Sequence, residues 1–198
     1  MVRNPCGGGI PVLDLPLGVV RRRILVSETD PRLFTGTLRD ELDPWGTHTD
    51  AQILEAISVA SGEDMLDVLD DGLDSEVEER GRSFSGGQRQ RLALTRALLA
   101  DAGILVLVEP TSAVDAHTEA RIAERLAAHR AGRTTVVMTA SPLVLDRADR
   151  VVLLAHGRVV AEGTHHELMH GPKAEHAAYR AVVVRGEDHQ QEQPAGIR

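Results

Sequence analysis

Lysine is almost missing from this chain: Lys173 is the only one in 198 residues. That excludes a phosphate-binding loop of the form G-x-x-x-x-G-K-S/T, whose glycines free backbone N–H groups and whose lysine reaches the outer phosphates. Gly7-Gly8-Gly9 has the glycines without the lysine and reads as a turn. Cysteine is equally scarce. Cys6 stands alone, which excludes a disulfide framework and fits a reducing compartment. No apolar run approaches the roughly 18 residues of a membrane-crossing helix, and no signal-peptide pattern opens the sequence. Any link to a membrane is therefore expected through a partner. Positive charge is in deficit, with a formal net charge of −8, which argues against a nucleic-acid-binding surface.

What is present suits one globular domain with a real core, since 42% of the residues are hydrophobic. Short apolar runs at 24–27, 104–108 and 135–139 read as buried strands. Ser85-Gly86-Gly87-Gln88 opens a helix: Ser85 suits the N-cap and Gln88 can reach back to it, while Leu94 and Leu98 mark a buried stripe. Two glycines in that first turn leave N–H groups at the positive end of a helix dipole, a setting for a phosphate. Asp50 is expected to cap a helix buried through Ile53, Leu54 and Ile57, and a further helix carries Met65, Leu66, Val68 and Leu69. Asp115 caps another, buried through Ile122 and Leu126. Residues 63–79 hold nine acidic side chains and no basic one, which reads as a solvated, self-repelling face. Residues 151–155 and 158–161 predict a hairpin around His156-Gly157, and the polar residues 186–198 a disordered tail.

Phe84-Ser85-Gly86-Gly87-Gln88-Arg89-Gln90-Arg91 resembles the signature sequence of ABC-transporter nucleotide-binding domains. The run Ile104-Leu105-Val106-Leu107-Val108-Glu109-Pro110-Thr111-Ser112-Ala113-Val114-Asp115 resembles the same family's Walker B strand and D-loop. Glu79-Arg80-Gly81 is similar to the loop that exporter-type members place before the signature, and residues 32–39 to the segment after the Q-loop. These matches fall in family order across residues 8–184. They imply an α/β fold: a partial P-loop NTPase (RecA-like) parallel sheet flanked by helices, with an ABC-type α-helical subdomain. Residues 1–37 and 101–185 would form the RecA-like lobe and 38–100 the helical signature subdomain. The chain is expected to begin after its own P-loop, which would leave the position beside the Walker B strand empty and expose a sheet edge.

The resemblance also implies a division of labour. In this family two domains sandwich ATP and Mg2+. Each site joins the P-loop, Q-loop, Walker B and switch histidine of one domain to the signature and D-loop of the other. On the first side, Thr29 takes the glutamine position of the Q-loop, Val108 that of the metal-ordering aspartate and Ala140 that of the switch histidine; Glu109 alone is kept, as a candidate general base. On the second side Ser85, Gly86, Gly87, Gln88 and Asp115 all remain. The expected role is to lend the signature helix to the ATP of a second nucleotide-binding domain, as a homo- or heterodimer. Membrane-spanning transporter domains would hold it at the cytoplasmic face of the plasma membrane. Its own hydrolysis is in doubt and no metal site of its own is expected. The alternative is a non-functional or structural fragment of an exporter. DNA-repair and chromosome ATPases share the signature chemistry, but residues 32–39 and 79–81 look transporter-like.

One motif points elsewhere. His166-Glu167-Leu168-Met169-His170 matches the H-E-x-x-H of zinc proteases, with His176 where a third ligand would fall. Gly171-Pro172 is expected to break the helix before His176, and no methionine follows to form a Met-turn.

Overall fold

The structure is a computed structural model and describes residues 6–7, 10–27, 35–67, 69–77, 84–172 and 174–191. A two-residue hairpin, β1 (Cys6–Gly7) with β2 (Ile10–Pro11), precedes α1 (Leu17–Arg23), which leads into β3 (Ile24–Ser27). A largely helical segment follows: β4 (Gly36–Thr37), α2 (Leu38–Leu42), α3 (Asp50–Val59), α4 (Glu63–Leu66), β5 (Glu76–Val77) and α5 (Gly86–Leu99). The chain then alternates through β6 (Ile104–Val108), α6 (Ala116–His129), β7 (Thr134–Met138) and α7 (Pro142–Leu145). The hairpin β8 (Val151–Ala155) and β9 (Arg158–Gly163) leads to α8 (His165–His170) and α9 (Ala174–Gln191).

The central sheet has the order β3–β6–β7, all parallel, with Val26 beside Val106 and Val106 beside Val136. That register sorts the strands by period two onto two faces. Leu105 and Leu107 are each 1% exposed and pack with Leu92, Leu94 and Leu98 of α5 and Ile122 and Leu126 of α6. Burying each such leucine contributes about 2 kcal/mol, enough to orient the sheet. Val26, Val136 and Met138 share the opposite face and are 46–55% exposed. Parallel sheets are normally covered on both faces; among the described residues this one is covered on one. The β6 strand is central, with a neighbour on each side, so the expected vacancy does not lie beside it. Among the described residues the sheet ends at β3 on one side and at β7 on the other, and β8 and β9 pair with each other.

Several local expectations shift. Thr49, not Asp50, caps α3: its hydroxyl accepts from the Gln52 N–H, and Gln52 answers by accepting from the Thr49 N–H. Ile53 and Ile57 are buried, but Leu54 faces outward. The helix expected around Met65 ends at Leu66; Val68 lies outside the described residues. The described carboxylates of the acidic segment are all exposed. Glu63 pairs with Arg125, Asp64 with Arg91 and Asp74 with Arg39, so three of its exposed carboxylates also meet arginines of α2, α5 and α6. The β8–β9 turn places His156 at φ 51° and Gly157 at φ 72°, the two positive angles of a tight hairpin turn. The α9 helix continues through Gln191, into the segment expected as a tail. No described helix is long and apolar enough to cross a membrane.

Candidate functional site

The first turn of α5 forms as its residues require. Ser85 is the N-cap, its hydroxyl accepting from the Gln88 N–H at 3.2 Å, and its own N–H donates to Gln88 Oε1 at 2.8 Å. This reciprocal cap uses two donors of the turn and leaves the glycine N–H groups uncovered by side chains. Further along, the Arg91 guanidinium grips both carboxylate oxygens of Asp64 and the Ser61 carbonyl. That fixes the helix against the start of α4.

The same turn lies against the loop after β6. A Cβ on Gly87 would fall 2.5 Å from the Ala113 carbonyl oxygen, a distance no side chain tolerates. Three residues on, Gln90 is 6% exposed. Its Nε2 donates to the Glu109 carbonyl at 2.7 Å and to Ser112 Oγ at 3.0 Å, and its Oε1 accepts from the Ala113 N–H at 2.9 Å. The loop is braced from the other side by Thr111, whose hydroxyl donates to Glu119 Oε1 at 2.5 Å. It ends at Asp115, which caps α6 by accepting from the N–H groups of His117 and Thr118, both at 3.0 Å.

Glu109 begins this loop at φ 44°, a left-handed conformation that costs a side-chain-bearing residue about 1–2 kcal/mol. Its N–H still pairs with the Met138 carbonyl at 2.9 Å, so the turn comes immediately after the ladder. Its Oε2 accepts the Thr139 hydroxyl at 3.2 Å. Burial pushes the Glu109 carboxyl above the usual range; the Thr139 bond favours the ionised form and opposes this, and the charge of Glu119 adds to the rise. A carboxylate so placed is suited to take a proton.

The positions around it offer little to a metal or phosphate. Val108 ends β6 opposite Met138 and has no donor atom. Ala140 follows β7 and is overlain by α9: a Cβ on Gly186 would lie 2.8 Å from the Ala140 carbonyl oxygen and 2.9 Å from its Cβ. Thr29 lies outside the described residues, as do 79–81. A family model described as ABC transporter matches residues 9–112, more than half of the chain.

The chain belongs to the ABC transporter family. It is an ATP-binding domain of the exporter type. It is similar to an ABC-type transporter, fsqE, of Aspergillus fumigatus, with 36% identity over 96% of this chain and 15% of that protein. It is also similar to an ATP-dependent lipid A-core flippase of Burkholderia orbicola, with 38% identity over 82% of this chain and 28% of the flippase. Among solved structures, a bacterial Atm1-family ABC exporter with ATP bound superposes with a TM-score of 0.78 and 28% identity, covering 87% of this chain and 30% of that one. The chain thus spans less than a third of the length of these relatives. Domains of this family bind ATP with Mg2+.

For this ABC domain the protease motif dissolves on inspection. His166 and His170 do share a face of α8, their rings 4.7 Å apart. Glu167, however, is the third residue of a capping box: it accepts the Thr164 N–H at 2.8 Å, which holds its carboxyl below the usual range. His176 belongs to a separate helix. Among the described residues no group of three His, Cys, Asp or Glu side chains can hold a metal. Sequence reasoning missed Gln90, Thr139 and Gly186. Gln90 left one signal: it is a polar residue four before Leu94, on the buried stripe of α5.

Proposed function

We propose that this ABC domain lends its signature turn to a nucleotide gripped by a second ATP-binding domain and does not hold ATP with Mg2+ by itself. The observation that carries the reading is the contrast between two sets of positions. Ser85, Gly86, Gly87 and Gln88 form a capped turn with uncovered N–H groups, and Asp115 stands at the far end of the loop packed against it. Val108 and Ala140, where the family has a metal-ordering aspartate and a γ-phosphate histidine, have no side-chain donor or acceptor. A hydrogen bond to a charged group contributes about 1.5–3 kcal/mol, so losing two such contacts lowers affinity by two or more orders of magnitude. The donor set therefore fits the lending half of a shared site and not the gripping half. Glu109, with its raised carboxyl, has the placement of a general base. Without an oxygen ligand at Val108 to order a metal beside it, we assign the hydrolytic turnover to the partner's nucleotide.

The partner on this reading is another ABC nucleotide-binding domain with an intact lysine loop, the pair being held at the cytoplasmic membrane face by membrane-spanning transporter domains. Titrating ATP with Mg2+ into the isolated chain tests it: no saturation below millimolar nucleotide is expected, and micromolar, Mg2+-dependent binding rejects the reading.

A second reading draws on the open sheet face. Val26, Val136 and Met138 leave an apolar surface beside the β7 edge, an arrangement prone to edge-to-edge association. If the 198 residues are a structural fragment, the purified chain self-associates and unfolds without cooperativity. A monomeric, cooperative transition by sedimentation and urea denaturation sets that reading aside.

A further inference from the structure

We propose that Gln90 is a positioning residue: its side-chain amide locks the start of α5 to the 109–113 loop, so that the signature turn and the Glu109 carboxylate keep one fixed relation. Only an amide fits this place. The loop offers a carbonyl and a hydroxyl on one side and an N–H on the other, and Gln90 answers with Nε2 toward Glu109 O and Ser112 Oγ and with Oε1 toward Ala113 N. A glutamate there would set a carboxylate against the Glu109 carbonyl; a lysine or arginine would leave the Ala113 N–H without an acceptor. The clamp acts where the backbone is most demanding. Glu109 holds φ at 44°, and its carbonyl also receives the Ser112 N–H at 3.4 Å and hydroxyl at 3.3 Å. Such a conformation persists only where the surroundings over-determine it. Gly87 completes the contact by letting the helix backbone approach the Ala113 carbonyl. Gln90 touches neither nucleotide nor water in this assignment; it works through the peptide of Glu109.

The consequence rests on the reading above: a phosphate seated on the signature turn by a neighbouring domain would be sensed by the Glu109 loop of this one through a single buried side chain. The clamp itself is tested without nucleotide or partner, so its failure is separate from the failure of that reading. The full chain and Gln90→Met are compared by amide hydrogen exchange, by carbon-detected titration of the Glu109 carboxyl, and by urea unfolding to correct for global stability. The Ala113 amide is expected to exchange about tenfold faster in Gln90→Met after that correction, the equivalent of one lost hydrogen bond. The Glu109 midpoint is expected to fall toward its ordinary value as the freed loop meets solvent. An unchanged Ala113 amide overturns the proposal. So does a faster Ala113 amide with an unmoved Glu109 midpoint, since Gln90 would then be a filler of polar space. Should Gln90→Met fail to fold, Gln90→Glu decides: its carboxylate would face the Glu109 carbonyl, acceptor against acceptor, so a faster-exchanging Ala113 amide supports the clamp and wild-type protection there overturns it.

Discussion

Thr139 donates its hydroxyl to the Glu109 carboxylate at 3.2 Å, across the C-terminal ends of two adjacent parallel strands. The bond favours the ionised form while burial disfavours it, and burial wins. Replacing Thr139 with Val removes the opposing influence at nearly constant volume. The Glu109 midpoint is expected to rise further in Thr139→Val, read by carbon-detected NMR; a fall would show that the hydroxyl bonds the neutral acid instead.

The raised Glu109 carboxyl also makes stability depend on pH in a definite direction. A folded-state pKa above the ordinary 4.5 means that the native state holds the proton longer than the unfolded chain. The contribution is fully present below pH 4.5 and is lost as pH rises through the native midpoint. Glu109→Gln mimics the neutral form. Its stability relative to wild type is expected to improve from pH 4 to pH 8, measured by urea unfolding, and a pH-independent difference would contradict the assignment.

Asp115 shows the opposite sign. The Thr118 N–H, joined by that of His117, holds its carboxyl below the ordinary 3.8 against the effect of burial. This stability is present above pH 3.8 and lost as pH falls through the native midpoint. Asp115→Ala at neutral pH is expected to cost about 1 kcal/mol, the usual cost of losing an N-cap, while Asp115→Asn keeps most of it. An alanine variant as stable as wild type would mean that α6 is held by its packing alone.

Arg91 ties the signature helix to α4 through Asp64 and the Ser61 carbonyl, with its own side chain 10% exposed. Arg91→Met keeps the aliphatic stem and leaves the buried Ser61 carbonyl without its charged donor. A loss of about 2 kcal/mol is expected, together with faster amide exchange at the start of α4. Because Asp64 is more than half exposed, little of this loss is Coulombic, and raising the salt concentration is expected to change it little.

Gly186 permits α9 to lie over Ala140. In Gly186→Val the new side chain meets backbone, which cannot move aside as a flexible side chain would. The C-terminal turns of α9 are expected to detach, seen as lost amide protection beyond residue 183. The Tyr179 and Val183 cluster with Leu168 and Val151 is expected to hold, keeping the Tyr179 phenol pushed up to about 12 by burial. If the whole helix loses protection, Gly186 anchors more than its own end.

Much of the local structure was legible because its cause is local. The Ser85 and Gln88 capping box, the strand 104–108, the Asp115 cap and the His156-Gly157 turn follow from interactions within a few residues. Asp50 misled because Thr49 beside it, with Gln52 three residues on, completes a better box. The acidic segment is exposed as its composition suggests, but the arginines that meet three of its carboxylates come from α2, α5 and α6, at separations that no run of residues reveals.

The family, the capped turn with its two glycines, the kept Glu109 and the apolar Val108 and Ala140 can be read along the linear chain, since these are identities at spacings a linear pattern preserves. What holds them together emerges on folding: Gln90 reaches the 109–113 loop, Thr139 meets Glu109, Gly186 covers Ala140 and, among the described residues, one sheet face stays open. The physical reason is range. Capping and strand formation are settled over three or four residues, whereas a side-chain amide buried between a helix and a loop finds its partners only after the sheet has brought distant segments within 3 Å.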